Sequence, residues 1–518
     1  MDAHSLPDDV AACHDLIQEL TTTVTSQGRE LEQLKHYIAE LLRQRFGPRS
    51  ERVDPNQLAL FDANGSDAQD ASADEPTENP SLAVMVREHR RRGGGRQVLP
   101  ADLPRRRVEY DLAEADKACP GCGQARERIG CETSEQLEFI PASLEVIEHV
   151  RWKYACRHCQ EHVTIATTPA KPIDKGLPGP GLLAMLVVGK YGDHLPLYRL
   201  EDVFARHGVE ISRGTLCRWA RATADRLEPL YQVMVDRVRA SKVIHTDDTP
   251  VPVLDPTLPH TRTGRFWVYV GDRGHPYSVY DYTTSRKRDG PAEFLREFTG
   301  YLQADAFAGY DGIYAAGTVK QVLCWAHARR KFYEARTVQP EPAHQALAFI
   351  ARLYDVEREA GSLEPAQRLK LRRARSLAIL DQFRSWLVAT EPKVLPKSPL
   401  GQAIGYVLPR WEGLVRYCED GALAIDNNLS ERTIRPCTIG RKNWLFLGSD
   451  RGGRTAAILF SFTASSKANQ VEPFAYLSDV LSRLAEISTG PATPEQLAEL
   501  LPDVWLRAHP HARRQFAR

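Results

Sequence analysis

The chain has 518 residues, with 68 Lys+Arg, 67 Asp+Glu and 10 Cys; that length suggests about three to five domain-sized units. Hydrophobic residues at 42% and charged residues at 26% exclude a wholly disordered or collagen-like chain. A formal charge of +1 says nothing about partners, so any nucleic-acid argument rests on where the charges lie.

The opening stretch, MDAHSLPDDV, is acidic with no apolar run behind it, which predicts no secretory leader. Elsewhere no apolar run approaches the ~18 residues needed to cross a bilayer, so no membrane partner is expected. Ten cysteines are too sparse for a disulfide scaffold and favour a reducing compartment.

Residues 1–45 carry a heptad. Val10, Ile17, Val24, Leu31 and Ile38 form one seam; Cys13, Leu20, Gln27, Leu34 and Leu41 form the other. Mostly β-branched residues in one seam and mostly Leu in the other predict a parallel two-stranded coiled coil, and hence a homo-oligomer. The bland alternative is one amphipathic helix packed on its own domain. Two features oppose helix: the TTTVT run and Gly28. Residues 46–110 read as linker and basic arm. FGPRSERVDPNQLALF is followed by an acidic stretch, Asp62 to Pro80, with no Lys or Arg. Then come Arg87, Arg90, Arg91, Arg92, Arg96, Arg105, Arg106 and Arg107 around Gly93-Gly94-Gly95. A flexible basic arm along phosphates and a solvated linker both fit this composition.

Residues 111–170 hold Cys119-Pro-Gly-Cys122 and Cys156-Arg-His-Cys159. Two Cys-x2-Cys pairs supply four thiolates, the donor set of a tetrahedral Zn2+ site. The strand-like LEVIEHVRWKY lies between them, which predicts a zinc-ribbon-like module with an inserted hairpin. Cys131, His158 and His162 read as bystanders. Residues 171–238 are helical. GLLAMLVVG reads as a buried helix. Further on, LEDVF, a His207-Gly208 turn, a Ser212 cap and a second helix form a helix-turn-helix pattern. Leu216, Trp219 and Ala220 share one face of the second helix, leaving Arg213, Arg218 and Arg221 for a DNA groove. An ordinary helical hairpin is the alternative.

At residue 239 the periodicity changes. Lys242 to Leu254, Arg265 to Val270 and Tyr277 to Tyr282 read as strands, Pro291 to Phe298 as a helix, Tyr301 to Asp305 as a strand ending in a carboxylate, and Gln321 to Trp325 as another strand. That order predicts a ribonuclease-H-like α/β core whose first part is 239–339. Phosphoryl transfer on DNA by two divalent ions needs hard oxygen ligands, so the search is for two strand-borne Asp and one helix-borne acid. Asp247 or Asp248 is the first, and Asp305 the second. Residues 340–420 read as a helical insertion. Residues 421–470 hold AIDNNLSERTIRPCTIGRKNWLF, where Asp426-Asn427-Asn428 enters a helix carrying Glu431. Arg435, Arg441 and Lys442 follow and are expected on the DNA backbone. Residues 471–518 form a helical tail.

HTDDTPVPVL, YLQADAFAGYDGIY, CWAHARRKF, DNNLSERTIRP and GRKNWLFLGSDRGGRTAA together resemble the transposases of the insertion sequence 66 family, bacterial DDE enzymes. The similarity covers nearly the whole chain. It implies a metal-dependent DNA transposase that binds terminal inverted repeats, cleaves the strand and joins a 3′ hydroxyl to target DNA. Asp247, Asp305 and Glu431 match the family triad and would bind Mg2+ or Mn2+; relatives usually have Asp-Glu-Thr at Asp247-Asp248-Thr249. The resemblance further implies cytoplasmic action at the bacterial nucleoid and accessory proteins encoded nearby. A decayed, inactive DNA-binding descendant and a structure-specific nuclease are the competing readings.

Overall fold

A computed structural model describes residues 13–15, 17–28, 30–31, 99, 103–140, 143–158, 162–487 and 492–514. The acidic linker and the Arg87–Arg96 part of the basic arm lie outside the described residues, as do Val10, Leu34, Ile38 and Leu41 of the heptad. Its described members, Cys13, Ile17, Leu20, Val24, Gln27 and Leu31, are all helical. The threonine run is accommodated by back-bonding: the hydroxyls of Thr21, Thr22, Thr23 and Thr25 donate to the carbonyls of Ile17, Gln18, Glu19 and Thr21.

The chain divides into two compact units, described separately. One comprises residues 1–79, 303–306 and 321–427; the other comprises 80–302, 307–320 and 428–518.

The larger unit contains two sheets. In the first, β3 (Ser143–Ala155) is central. It pairs in parallel with β1 (Arg105–Tyr110) and antiparallel with β2 (Glu127–Ile140) and the short β4 (Thr164–Ile165). β2 and β3 are the expected hairpin between the two Cys-x2-Cys pairs. Arg105, Arg106 and Arg107 depart from the expectation of a flexible arm. They are on β1 and pair with Glu135, Glu145 and Glu109. Pairing with a distant strand overrides the disorder signal of the glycine run.

Helix α1 (Pro180–Val187) buries Leu182, Leu183, Leu186 and Val187 and continues through a π-helical turn, Val188–Gly192. Then come α2 (Leu197–Arg206) and α3 (Arg213–Arg239). The second sheet has the order β7-β6-β5-β8-β9, with β5 (Val243–Val253) flanked by β6 (Arg262–Val270) and β8 (Gly300–Gln303); β7 is Ser278–Thr283 and β9 Val319–Val322. β6 is antiparallel to both β5 and β7. Between β7 and β9 lie the short helices α4 (Asp289–Phe294) and α5 (Asp311–Ala315).

Several limits differ from the sequence expectation. The helix expected at Pro291–Phe298 is Asp289–Phe294. β8 stops two residues before Asp305. The run QVLCW is split: Cys324 caps a helix that begins at Trp325. A short apolar run has no period that distinguishes a strand from a buried helix start.

The smaller unit is built from α6 (Trp325–Ala335), α7 (Pro340–Ala360), α8 (Pro365–Leu371), α9 (Leu377–Thr390), α10 (Pro399–Val407) and α11 (Trp411–Val415). Trp325, Phe332, Phe383 and Trp411 meet at its centre in tilted and edge-to-face contacts. Arg372 is buried there. Its guanidinium grips both oxygens of Glu357 at 2.8 and 2.7 Å and donates to the carbonyls of Tyr417 and Asp420, which satisfies the charge in place of water.

The larger unit resumes with α12 (Asn428–Trp444), α13 (Asp450–Ala468), α14 (Pro473–Glu486), α15 (Pro494–Glu499) and α16 (Pro502–Ala508). β7 is the edge of its sheet. The N–H groups of Ser278 and Tyr280 donate to Ser465 Oγ and Ser461 Oγ of α13 at 3.0 and 2.8 Å, so helix hydroxyls close the edge. Among the described residues, no helix is long and apolar enough to cross a membrane.

Candidate active site and metal centre

The first cluster is sulfur. Cys119, Cys122 and Cys156 present ligand atoms within 4.8 Å of one another, and the Cys122 and Cys156 sulfurs are 3.3 Å apart. Cys159 lies outside the described residues. Gly121 lies beside the cluster: a Cβ there would be in ordinary contact with His162 Nε2 at 3.4 Å and Cys119 Sγ at 4.0 Å. The Gln124 backbone N–H favours the Cys122 thiolate. The neighbouring Cys156 and Cys119 sulfurs and burial outweigh it, and the thiol is pushed up to about 12. Converging cysteine sulfurs are the donor set of a zinc ion, so the residues fit zinc. Cys131 is exposed on β2 opposite Trp152.

The helix-turn-helix elements form where expected. Gly208 takes the turn at φ +82°, and Val209 and Ile211 are buried beneath it. Ser212 Oγ accepts the Thr215 N–H, capping α3. Leu216, Trp219 and Ala220 face inward, while Arg213, Arg218 and Arg221 are exposed. Arg213 also leans on Glu201 of α2 at 3.5 Å.

The carboxylates follow. On β5, Asp247 is opposite Val268 and Asp248 opposite Trp267, and successive side chains of a strand point to opposite faces. Asp248 shares its face with Thr246, whose hydroxyl is 3.3 Å from that of Tyr310. There Asp248 is almost completely buried and closed off. Arg265 Nη1 donates to Oδ2 at 2.9 Å, and Arg286 donates to Oδ1 through Nε at 3.2 Å and Nη2 at 2.9 Å. Arg286 also lies 4.2 Å over the Phe307 ring. Asp247 shares the other face with Thr249. That face meets α12: Arg441 donates to Thr249 Oγ1 at 3.4 Å and to the Pro250 carbonyl, and Ser430 donates to the Thr246 carbonyl at 3.4 Å. Glu431 is half-buried in the first turn of α12, next to Ser430.

Asp305 belongs to the smaller unit, two residues past the end of β8. The buried Gln303 holds this segment: its Nε2 donates to the carbonyls of Ala424 and Asp426 at 2.7 and 2.8 Å, and its Oε1 accepts the Ala424 N–H at 3.3 Å. On the same strap the Ile425 carbonyl accepts the Trp325 N–H at 3.1 Å, and Tyr354 donates to Asp426 Oδ2 at 3.0 Å. Asn427 immediately precedes α12, whose first residue is Asn428.

The cations of α12 divide into two faces. Arg441 is turned onto β5, and burial lowers its affinity for the proton. Arg435 and Lys442 are exposed, and so is Arg432, which sequence reasoning passed over. Arg432, Arg435, Ile439 and Lys442 recur at three- and four-residue spacing, one solvent stripe of the helix. The spacing from Arg432 to Arg435 was the available signal.

Four family models match successive parts of the chain. "Transposase C of IS166 homeodomain" matches residues 33–108, "zinc-finger binding domain of transposase IS66" 116–160, "Transposase IS66 family" 175–455 and "IS66 C-terminal element" 461–502. Two similar proteins are from Sinorhizobium fredii (strain NBRC 101917 / NGR234). The uncharacterized protein y4jD is 33% identical over 506 residues, covering 94% of this chain and 97% of its own length. The uncharacterized protein y4hP is 32% identical over 499 residues, covering 91% and 88%. With more than half of the chain matched by the transposase model, and relatives aligned almost end to end, the chain belongs to the IS66 family of transposases.

Proposed function

We propose that this transposase binds the terminal inverted repeats of an insertion sequence, cleaves the strand and joins its 3′ hydroxyl to target DNA by a DDE mechanism. The strand order β7-β6-β5-β8-β9, with three antiparallel strands on one side of β8, supports a ribonuclease-H-like core. Asp247, Asp305 and Glu431 are the catalytic ligands in this reading. The observation that carries it is the contrast between two adjacent carboxylates. Asp248 is neutralised by two arginines, which unfits it as a metal ligand; Asp247 is on the β5 face that receives the Glu431 helix.

Bound Mg2+ or Mn2+ supplies the charge that stabilises the attacking and leaving oxygens. The protein's own work is positioning. The Asp248 N–H, 2.8 Å from Asp247 Oδ1, fixes the Asp247 carboxylate. Arg432, Arg435 and Lys442 bind phosphates beside it, and Arg441 ties their helix to β5. Arg213, Arg218 and Arg221 engage the element end. Cys119, Cys122, Cys156 and Cys159 hold zinc, which supplies folding energy to the hairpin module. The N-terminal helix associates with a second copy to bring two ends together, in the cytoplasm and with accessory proteins. The test is Mg2+-dependent cleavage and joining on supercoiled DNA carrying the genomic flanks: loss in Asp247→Asn, Asp305→Asn and Glu431→Gln with end binding kept supports the triad, and wild-type activity in any of them removes that residue from it.

A further inference from the structure

Leu445 follows α12 with φ +67°, in the left-handed region that a glycine occupies freely and a leucine does not. The surrounding chain holds it there. Its N–H donates to the Arg441 carbonyl at 2.8 Å and the Phe446 N–H to the Trp444 carbonyl at 2.8 Å. Beyond them, the Leu447 N–H donates to the Pro252 carbonyl at 2.9 Å, and the Leu254 N–H to the Leu447 carbonyl at 2.8 Å. The helix end on one side and the end of β5 on the other leave the turn little freedom. Yet the side chain gains nothing by burial, because Leu445 is 55% exposed. A strained backbone held rigid beneath an exposed apolar side chain is a feature of sites that act on a ligand.

Its surroundings name the ligand. Leu445 is one helical turn beyond Lys442, at the end of the stripe of Arg432, Arg435, Ile439 and Lys442. The cations match a phosphate backbone. The apolar tip matches what enters between base pairs: proteins that kink DNA insert Leu, Ile, Met or Phe between stacked bases. We propose that Leu445 is a wedge that unstacks a base step of bound DNA. This rests on the reading that the exposed stripe of α12 meets DNA.

The test uses the full chain and short duplexes tiling the genomic DNA that flanks its gene, with 2-aminopurine placed at successive positions. This base brightens when it leaves the stack. Wild-type protein brightens one position. Leu445→Gly relieves the backbone strain, so its Tm is equal or higher; its affinity stays within about threefold because phosphate contacts carry most of it; and the brightening is lost. Leu445→Met keeps the brightening. The wedge is overturned if wild type brightens no position, if Leu445→Gly brightens like wild type, if Tm and affinity fall together, or if only the oligomeric state changes. Unchanged affinity of a combined Arg432→Ala, Arg435→Ala, Lys442→Ala variant would instead remove the underlying reading that this stripe meets DNA.

Discussion

The backbone N–H of Asp248 donates to Oδ1 of Asp247 across 2.8 Å, so the residue held by two arginines orients the carboxylate we propose as a metal ligand. Asp248 anchors β5 through Arg265 and Arg286, and the proposed role of Asp247 in chemistry is separable from that by mutation.

Zinc content checks the sulfur cluster. Purified protein is expected to hold near one zinc per chain, and Cys119→Ser with Cys156→Ser to lose it and destabilise the β1–β4 sheet. Full zinc occupancy in the double variant would remove these residues from the site.

The two faces of α12 predict two kinds of arginine variant. Arg432→Ala, Arg435→Ala and Lys442→Ala should each flatten the salt dependence of DNA binding by about one unit of slope. Arg441→Ala should leave the slope unchanged and lower Tm, since its partners are Thr249 and Pro250 of β5. Anisotropy titrations across salt concentrations separate the two. A flattened slope in Arg441→Ala alone would exchange the faces.

Lys190, in the π-helical turn after α1, predicts a pH dependence. Burial pushes its ammonium down to about 8 from 10.5, although the Cys217 thiol opposes this. Its ammonium is 5.5 Å from the Tyr191 ring and 5.6 Å from the Trp444 ring. A cation with a depressed folded pKa destabilises below that pKa, because the unfolded chain holds the proton more tightly. Its contribution should therefore become more favourable as pH rises from about 8 to 10.5. Lys190→Met should gain on the order of 1–3 kcal/mol at pH 7, less whatever the ring contacts supply. Denaturant titrations of both proteins from pH 7 to pH 10 should show the gap narrowing; a constant gap would contradict this.

Self-association is expected of the N-terminal helix, whose Ile17, Leu20, Val24 and Leu31 are between 54% and 66% exposed. Removing residues 1–45 should lower the oligomeric state in light scattering. An unchanged mass would mean that another surface joins the copies.

The local motifs were the legible part. The Cys119–Cys122 turn, the Ser212 cap and the Asp-Asn-Asn entry to the Glu431 helix each carry their geometry within a few residues. What escaped depends on distant pairing. Asp248 is silenced by Arg265 and Arg286, 17 and 38 residues away. Arg105 to Arg107 became a strand because β3 lies alongside them. The exchange of Arg441 for Arg432 on the exposed face turns on helical phase, which the sequence supplies only once the side of α12 that meets β5 is known.

Cleavage by Asp247→Asn and Asp248→Asn proteins, measured side by side with Mg2+ on supercoiled DNA carrying the element's flanks, tests the central assignment most directly. Asp247→Asn should bind the ends, keep the wild-type Tm and cut nothing. Asp248→Asn should lose roughly 1–3 kcal/mol of stability, because two arginines lose their buried anion, and still cut at a temperature where it is folded. Cleavage by Asp247→Asn, or its absence only in folded Asp248→Asn, would contradict the assignment.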